Sequence, residues 1–243
     1  MLEALSHPIL TPLVRNYLLS TLRGHFADVR VFLEEPITPM PTIFFATHQS
    51  WWDGHLMLAL CQHWRLEFRV MMLEQNLQKY GFLRYAGAYG VNRSSVAGVR
   101  AALRYSVNQL ESSLPTALLL FPAGEIGSPF ARPIPFESGL ASLVLMCARS
   151  EVPVQLRAIA LRLEHGLEAR PNAVLRVGRT CEVRGGSVSS LTEIFTTELT
   201  LQANRLHQDL LQDNLNGYIP ILQGLPSAQQ GWDLLRRKLG VRL

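Results

Sequence analysis

The chain has 243 residues, 48% apolar and only 17% charged, enough to build a substantial core; this excludes a disordered tail or a small stapled scaffold. With 23 Lys and Arg against 19 Asp and Glu the formal charge is +4. A mild excess without a dense basic stripe argues against nucleic-acid binding and suits a surface that meets phosphate or anionic lipid.

Three widely separated cysteines, Cys61, Cys147 and Cys181, offer neither a disulfide framework nor a CxxC metal site and point to a reducing compartment. Glu3, His7-Pro8 and Thr11-Pro12 interrupt the N-terminal apolar stretch, so it does not read as a signal peptide. The longest clean apolar run, Gly139 to Ala148, falls far short of the roughly 18 to 20 residues that span a bilayer. The expectation is a protein that is soluble or lies on a membrane.

Leu2, Leu5, Ile9, Leu13, Tyr17 and Leu22 recur at roughly helical spacing, with Thr11 as N-cap and Pro12 at the first helical position. This amphipathic segment, residues 1–24, reads as a helix packed on the core or as an in-plane membrane helix, with Arg15 and Arg23 near its apolar face. Val29, Val31 and Leu33 alternate as a strand, and a Pro-rich loop leads to a buried strand at Thr42 to Ala46. Then come a helix over Trp51 to His63, a strand over Leu66 to Met72, and a short strand over Ala88 to Val91. Ser94 or Ser95 caps a helix running toward Ser112, followed by a fully apolar strand at Thr116 to Phe121. Helix Glu137 to Arg149 and strand Pro153 to Leu163 complete the alternation. Strands separated by helices of ten or more residues imply parallel connections. The fold class is therefore α/β: a mostly parallel central sheet flanked by helices, with an N-terminal amphipathic helical segment.

Beyond residue 170, Val174 to Val177 and Cys181 to Val183 read as edge strands, and Leu201, Leu206, Leu210 and Leu211 as a late amphipathic helix. Ile219 to Gln230 reads as loop, before a last helix ending in the basic residues Arg236, Arg237 and Lys238. No linker marks a boundary, so 1–243 is taken as one domain: the helical segment, a motif-bearing core at 25–165, and an extension at 166–243.

Three segments carry chemistry. Strand Thr42 to Ala46 runs into Thr47-His48-Gln49-Ser50-Trp51-Trp52-Asp53, and ligands of parallel α/β sheets sit beyond the carboxyl ends of strands. A turn between His48 and Asp53 lets the carboxylate hold one imidazole nitrogen and leave the other free as a base. The bland alternative makes Asp53 part of a capping box with Ser50. The second segment, Gly87 to Arg93, delivers a guanidinium to a helix start, a reasonable seat for phosphate. The third, Phe121-Pro122-Ala123-Gly124-Glu125, makes a tight turn with a carboxylate beside backbone amides.

In this order and at these intervals the segments resemble the glycerolipid acyltransferase family, which includes bacterial 1-acylglycerol-3-phosphate acyltransferases. His48 and Asp53 match its histidine–four residues–aspartate block, Gly87 and Arg93 its second block, and Phe121, Pro122 and Gly124 part of its Phe-Pro-Glu-Gly turn. Val152-Pro153-Val154 matches a fourth block, so the resemblance covers roughly residues 25–165. Thr47 replaces the usual Asn and Ala123 the third-block glutamate, with Glu125 two residues downstream. Ile126 and Gly127 occupy the place of an arginine, and Leu156 that of a second proline.

The resemblance implies an O-acyltransferase with His48 as general base and Asp53 orienting it. Arg93, Gly124 and Glu125 are the substrate-binding candidates, and Trp51, Trp52, Leu56, Met57, Met71 and Met72 the groove for the acyl chain. No metal and no cofactor are implied; acyl-CoA or acyl-carrier-protein thioester is the co-substrate and a lipid, 1-acylglycerol-3-phosphate-like, the acceptor. The implied location is cytoplasmic, peripheral on the membrane face, with no nucleic-acid partner. The replaced arginine leaves open a phosphate-free acceptor such as a glycolipid or glycosylated carotenoid, and a non-catalytic lipid-binding protein is a further alternative. His48, Asp53 and His55 do not reproduce a HExxH spacing of metal ligands.

Overall fold

The computed structural model describes residues 1–112, 115–166, 169–183, 185–226, 231, 232 and 236. The basic end expected at Arg237 and Lys238, and residues 227–230, lie outside the described residues.

In chain order the elements are α1 (Leu10–His25), β1 (Asp28–Leu33), β2 (Thr42–Ala46), α2 (Asp53–His63), β3 (Glu67–Leu73), α3 (Glu74–Lys79), α4 (Leu83–Ala86), β4 (Ala88–Val91), α5 (Val96–Leu110), β5 (Thr116–Leu120), α6 (Gly139–Arg149), β6 (Gln155–Glu164), β7 (Asn172–Thr180), α7 (Val188–Leu211) and β8 (Ile219–Gln223). The strands form one sheet in the order β4-β3-β5-β2-β6-β7-β1-β8. Pairing is parallel except between β6 and β7 and between β1 and β8.

The central strands are buried on both faces, which explains why they read as continuous apolar runs. In β2, Phe44 and Ala46 pack toward α1 and α2, while Ile43 and Phe45 pack toward α5, α6 and α7. The same alternation divides β5, with Ala117 and Leu119 on one side and Leu118 and Leu120 on the other. Successive side chains of a strand point to opposite faces, so five residues serve two helical layers.

Several expectations give way. Thr11 does not cap α1; the Nδ1 atom of His7 accepts from the amides of Ile9 and Leu10, each at 3.2 Å, and Thr11 Oγ1 accepts from the His7 amide. Ser95, rather than Ser94, caps α5, accepting from the Gly98 amide. The short helices α3 and α4 have too few turns to show a period. Residues 174–177 are not an edge: β7 runs nine residues between β6 and β1, and Cys181 to Val183 lie beyond it. The apolar pattern fails at Arg176, yet this arginine is held by Glu34 at 2.9 Å and Asp209 at 2.7 Å. Within the expected loop, residues 219–223 form β8, the sheet's edge strand, where Pro220 is tolerated because its missing N–H faces no central ladder.

Helix α1 buries Leu18, Leu19 and Leu22 and exposes Leu13 and Tyr17, with Ile9 exposed just before it, so it is a core helix with a second apolar edge. Arg15, expected near lipid, turns inward: it clasps Glu67 of β3 through both guanidinium amino groups, at 3.1 and 2.6 Å, and donates to the Ala86 carbonyl. Arg69 reaches the same carboxylate. No helix among the described residues is long and apolar enough to cross a membrane.

Burial alone pushes the Glu67 carboxyl up, but Arg15 and then Arg69 outweigh it and hold it below its ordinary value. A depressed folded-state pKa contributes stability that is present above the unfolded pKa and lost as pH falls through the folded one. Thermal melts should therefore show the unfolding midpoint dropping as pH falls below the ordinary carboxylate range. Glu67→Gln should cost about 2 kcal/mol in urea unfolding at neutral pH and flatten that acid decline.

Candidate active site

Four parallel strands, β2, β5, β3 and β4, bring their carboxyl ends to one side of the sheet, and the loops that follow them converge there. After β2 the chain turns at His48 into α2. The Asp53 carboxylate, fully buried, reaches back across this turn. Its Oδ2 accepts from the Gln49 amide at 2.7 Å and the Ser50 amide at 3.0 Å and lies 2.8 Å from His48 Nδ1. Its Oδ1 accepts from Ser50 Oγ at 2.6 Å. A carboxylate only accepts, so Nδ1 carries the imidazole proton and Nε2 keeps its lone pair. The capping-box alternative is met in part: Asp53 accepts from the Ser50 amide and Ser50 Oγ accepts from the Trp52 amide at 3.2 Å, but Trp52 holds the N-cap position of α2 and the same carboxylate also holds His48.

The His48 ring is clamped from the side as well. It stacks on Phe121, ring centres 4.0 Å apart and planes 16° from parallel. The loop is tied to neighbours by Thr47 Oγ1, which accepts from the Leu161 amide at 3.0 Å, and by the Gly127 amide donating to the His48 carbonyl at 2.9 Å. Thr47 therefore has an anchoring role.

His48 lines a cavity of about 590 Å³, within the ~300–1,000 Å³ typical of small-molecule sites. Its walls are mainly apolar. Trp51, Met71 and Met72 belong to them as expected, but Trp52, Leu56 and Met57 do not. Leu56 and Met57 are fully buried in the core, and Trp52 packs against His25 and Phe26. The sequence reading missed Leu18 of α1, Phe68 of β3 and Leu103 of α5, whose spacing marks them only as core. Asp53 is sealed behind His48 and does not reach the cavity.

Arg93, Gly124 and Glu125 all border this cavity. Arg93 is not free: it donates to the Gly124 carbonyl and forms an ion pair with Glu137 of the loop before α6. Both partners are well exposed, so this pair is weak and exchangeable. Gly124 sits at φ +73°, and a Cβ there would collide with Arg93 Nη1. Its amide is spent on the Phe121 carbonyl, which removes it as a donor to substrate. Glu125 is exposed, and among the described residues it forms no ion pair like that of Arg93.

Of the other reactive groups, His55 lines the same cavity and the cysteines stand apart. Burial lowers the His55 pKa, and burial raises those of Cys147, to about 11, and Cys181, to about 12. Cys61 is pushed higher still by burial, and none of the three thiols lines the cavity at His48. Among the described residues no group of three or more His, Cys, Asp or Glu side chains is placed to hold a metal.

Substitutions at Asp53 separate geometry from charge. Asp53→Ala orphans buried donors and should cost about 3 kcal/mol or more in denaturant unfolding, whereas Asp53→Asn, whose oxygen can still accept them, should cost clearly less. Gly124→Ala should displace Arg93 and cost about 1–3 kcal/mol by the same measurement.

Known proteins give the arrangement a family. Comparison with curated proteins finds no match. Among solved structures, the 1-acyl-sn-glycerophosphate acyltransferase PlsC from Thermotoga maritima has a similar fold, with a TM-score of 0.52 and 16% identity over 81% of this chain and 79% of that one. The family model described as Acyltransferase matches residues 28–157, which span β1 to the start of β6 and every residue of the His48, Arg93 and Phe121 segments. The chain belongs to the acyltransferase family and is an acyltransferase enzyme.

Proposed function

We propose that the protein transfers a fatty acyl group from a thioester donor to the hydroxyl of a lipid acceptor of the 1-acylglycerol-3-phosphate type. The observation that carries this reading is an imidazole held by a buried carboxylate at the wall of a large apolar cavity. Nε2 of His48 takes the proton of the acceptor hydroxyl as its oxygen attacks the thioester carbonyl carbon. The carbon–sulfur bond breaks, and the proton passes from the imidazolium to the leaving thiolate. Asp53 keeps the ring in the productive tautomer and stabilises the imidazolium, and no acyl-enzyme is formed. The cavity orients the acyl chain, and Arg93 and Glu125 supply polar groups at its edge.

The donor is an acyl-CoA or acyl-carrier-protein thioester. The chain works as one domain on the cytoplasmic face of the membrane. Exposed Ile9 just before α1, Leu13 and Tyr17 on α1, Trp51 before α2 and Phe82 before α4 support membrane contact, since α1 packs against both of those helices. The relative of known structure is named for activity on 1-acyl-sn-glycerophosphate, which supports a phospholipid-building role. A second reading keeps the chemistry with a phosphate-free acceptor such as a glycolipid. It is favoured by Arg93 being paired with Glu137 and by Ile126 and Gly127 standing where a third-block arginine is expected.

His48→Ala should lower turnover by about 10²–10⁴ or more while far-UV circular dichroism stays that of wild type. Near-normal turnover in a purified, folded mutant would sink the mechanism. Assaying lysophosphatidate against a neutral glycolipid with one acyl donor separates the two acceptors.

A further inference from the structure

A second, smaller cavity of about 140 Å³ meets the first at the catalytic imidazole, because His48 and Glu125 line both. Its walls include Arg162 of β6 and Arg132 of the loop between β5 and α6, so two arginines and one acidic residue, Glu125, line it. The Arg162 side chain is 7% exposed, and its Nη1 is buried with no hydrogen-bond partner. Glu164 Oε1 is 3.9 Å from Nε, too far for a hydrogen bond, and the guanidinium otherwise lies 4.6 Å over the Phe130 ring. Among the described residues Arg132 donates to neutral groups, Asn204 Oδ1 at 2.9 Å and the Ala131 and Pro129 carbonyls at 2.7 and 3.4 Å. Desolvation disfavours the cationic form of Arg162, the Glu164 carboxylate offsets part of this, and the Arg132 charge adds to it, leaving the pKa lowered.

An arginine remains charged in a protein, so a buried one whose donor is unmet is costly until an anion completes it. The charge is also well placed for the reaction. In a 1-acylglycerol-3-phosphate the reacting hydroxyl and the phosphate ester sit on neighbouring carbons. A phosphate that accompanies this hydroxyl to His48 must lodge close to the imidazole. Arg93 has a carboxylate partner; Arg162 lacks a hydrogen-bonded one.

We propose that the small cavity is the seat of a phosphate monoester, that of the acyl acceptor, with Arg162 as its main binding residue and Arg132 as a second charge. This rests on the acyl-transfer reading above. It also accounts for Ile126 and Gly127: the cation absent from the third block is supplied by β6 and by the loop four residues beyond Ser128. The fatty chain and the phosphate then occupy separate cavities on either side of one base.

The test uses the full chain with Arg162→Met, Arg162→Lys and Arg132→Gln. Calorimetry should show glycerol 3-phosphate binding to wild type, weakened about tenfold or more in Arg162→Met and partly restored in Arg162→Lys. The ratio of kcat/KM for lysophosphatidate to that for monoacylglycerol should fall about tenfold in Arg162→Met and less in Arg132→Gln. The ligand-free melting temperature of Arg162→Met should not fall, because a buried unpaired charge has been replaced by an apolar side chain. An unchanged acceptor ratio in both Arg162→Met and Arg132→Gln overturns the proposal. Inorganic phosphate that binds without competing against lysophosphatidate also overturns it, marking a free-phosphate site. If wild type acylates only the phosphate-free acceptor, this inference fails and acyl transfer stands. If it acylates neither, acyl transfer fails, and loss or retention of glycerol 3-phosphate binding in Arg162→Met decides the cavity by itself.

Discussion

Taking a carboxylate wholly out of water carries a penalty that only hydrogen bonds and charge can offset, and Asp53 meets it within five residues of chain. Two amides, one hydroxyl and one imidazole converge on its two oxygens. The same bonds shape the turn from β2 into α2 and choose the tautomer of His48. Stability of the loop and orientation of the imidazole are thus one interaction seen from two sides. The face of the ring is set from further away by Phe121, delivered by the adjacent strand β5, so the sheet's register also aims the imidazole.

Around that point the molecule separates greasy and charged environments. The large cavity draws on the α1 and α2 layer and on the α5 and α6 layer, because it lies past the strand ends, where neither layer is closed off by the sheet. The small cavity lies among β6, α7 and the loop after β5. Among the described residues, His48 and Glu125 are common to the large apolar space and the small cationic one. In the proposed reaction, a base at such a junction would bring a thioester and a polar hydroxyl together with each substrate's remainder in its own solvent.

The N-terminal helix shows how one element can satisfy two readings. Its leucines at 18, 19 and 22 are core, its arginine at 15 closes an internal ion pair, and Ile9, Leu13 and Tyr17 remain outside. A period of 3.6 reveals that a helix has an apolar stripe; the width of the stripe actually covered depends on what packs against it.

Where the determinants were local, the residues declared the structure. Strands β2 and β4 stand at the limits their apolar runs and flanking turns indicate, and the His48–Asp53 pair was legible because its geometry needs only one turn of backbone. The edge position of residues 174–177 and the loop at 219–223 were misread, since Arg176 and Pro220 break a strand pattern unless distant Glu34 and Asp209, or a sheet edge, accommodate them. Equally invisible were the partner of Arg93, the membership of Leu18 and Leu103 in a cavity wall, and the isolation of Arg162. Each depends on strand order and on residues dozens to more than a hundred positions away. Short-range hydrogen bonds and side-chain periodicity are written in neighbouring letters; which charges end up paired and where a void is left are settled only when the layers close over the sheet.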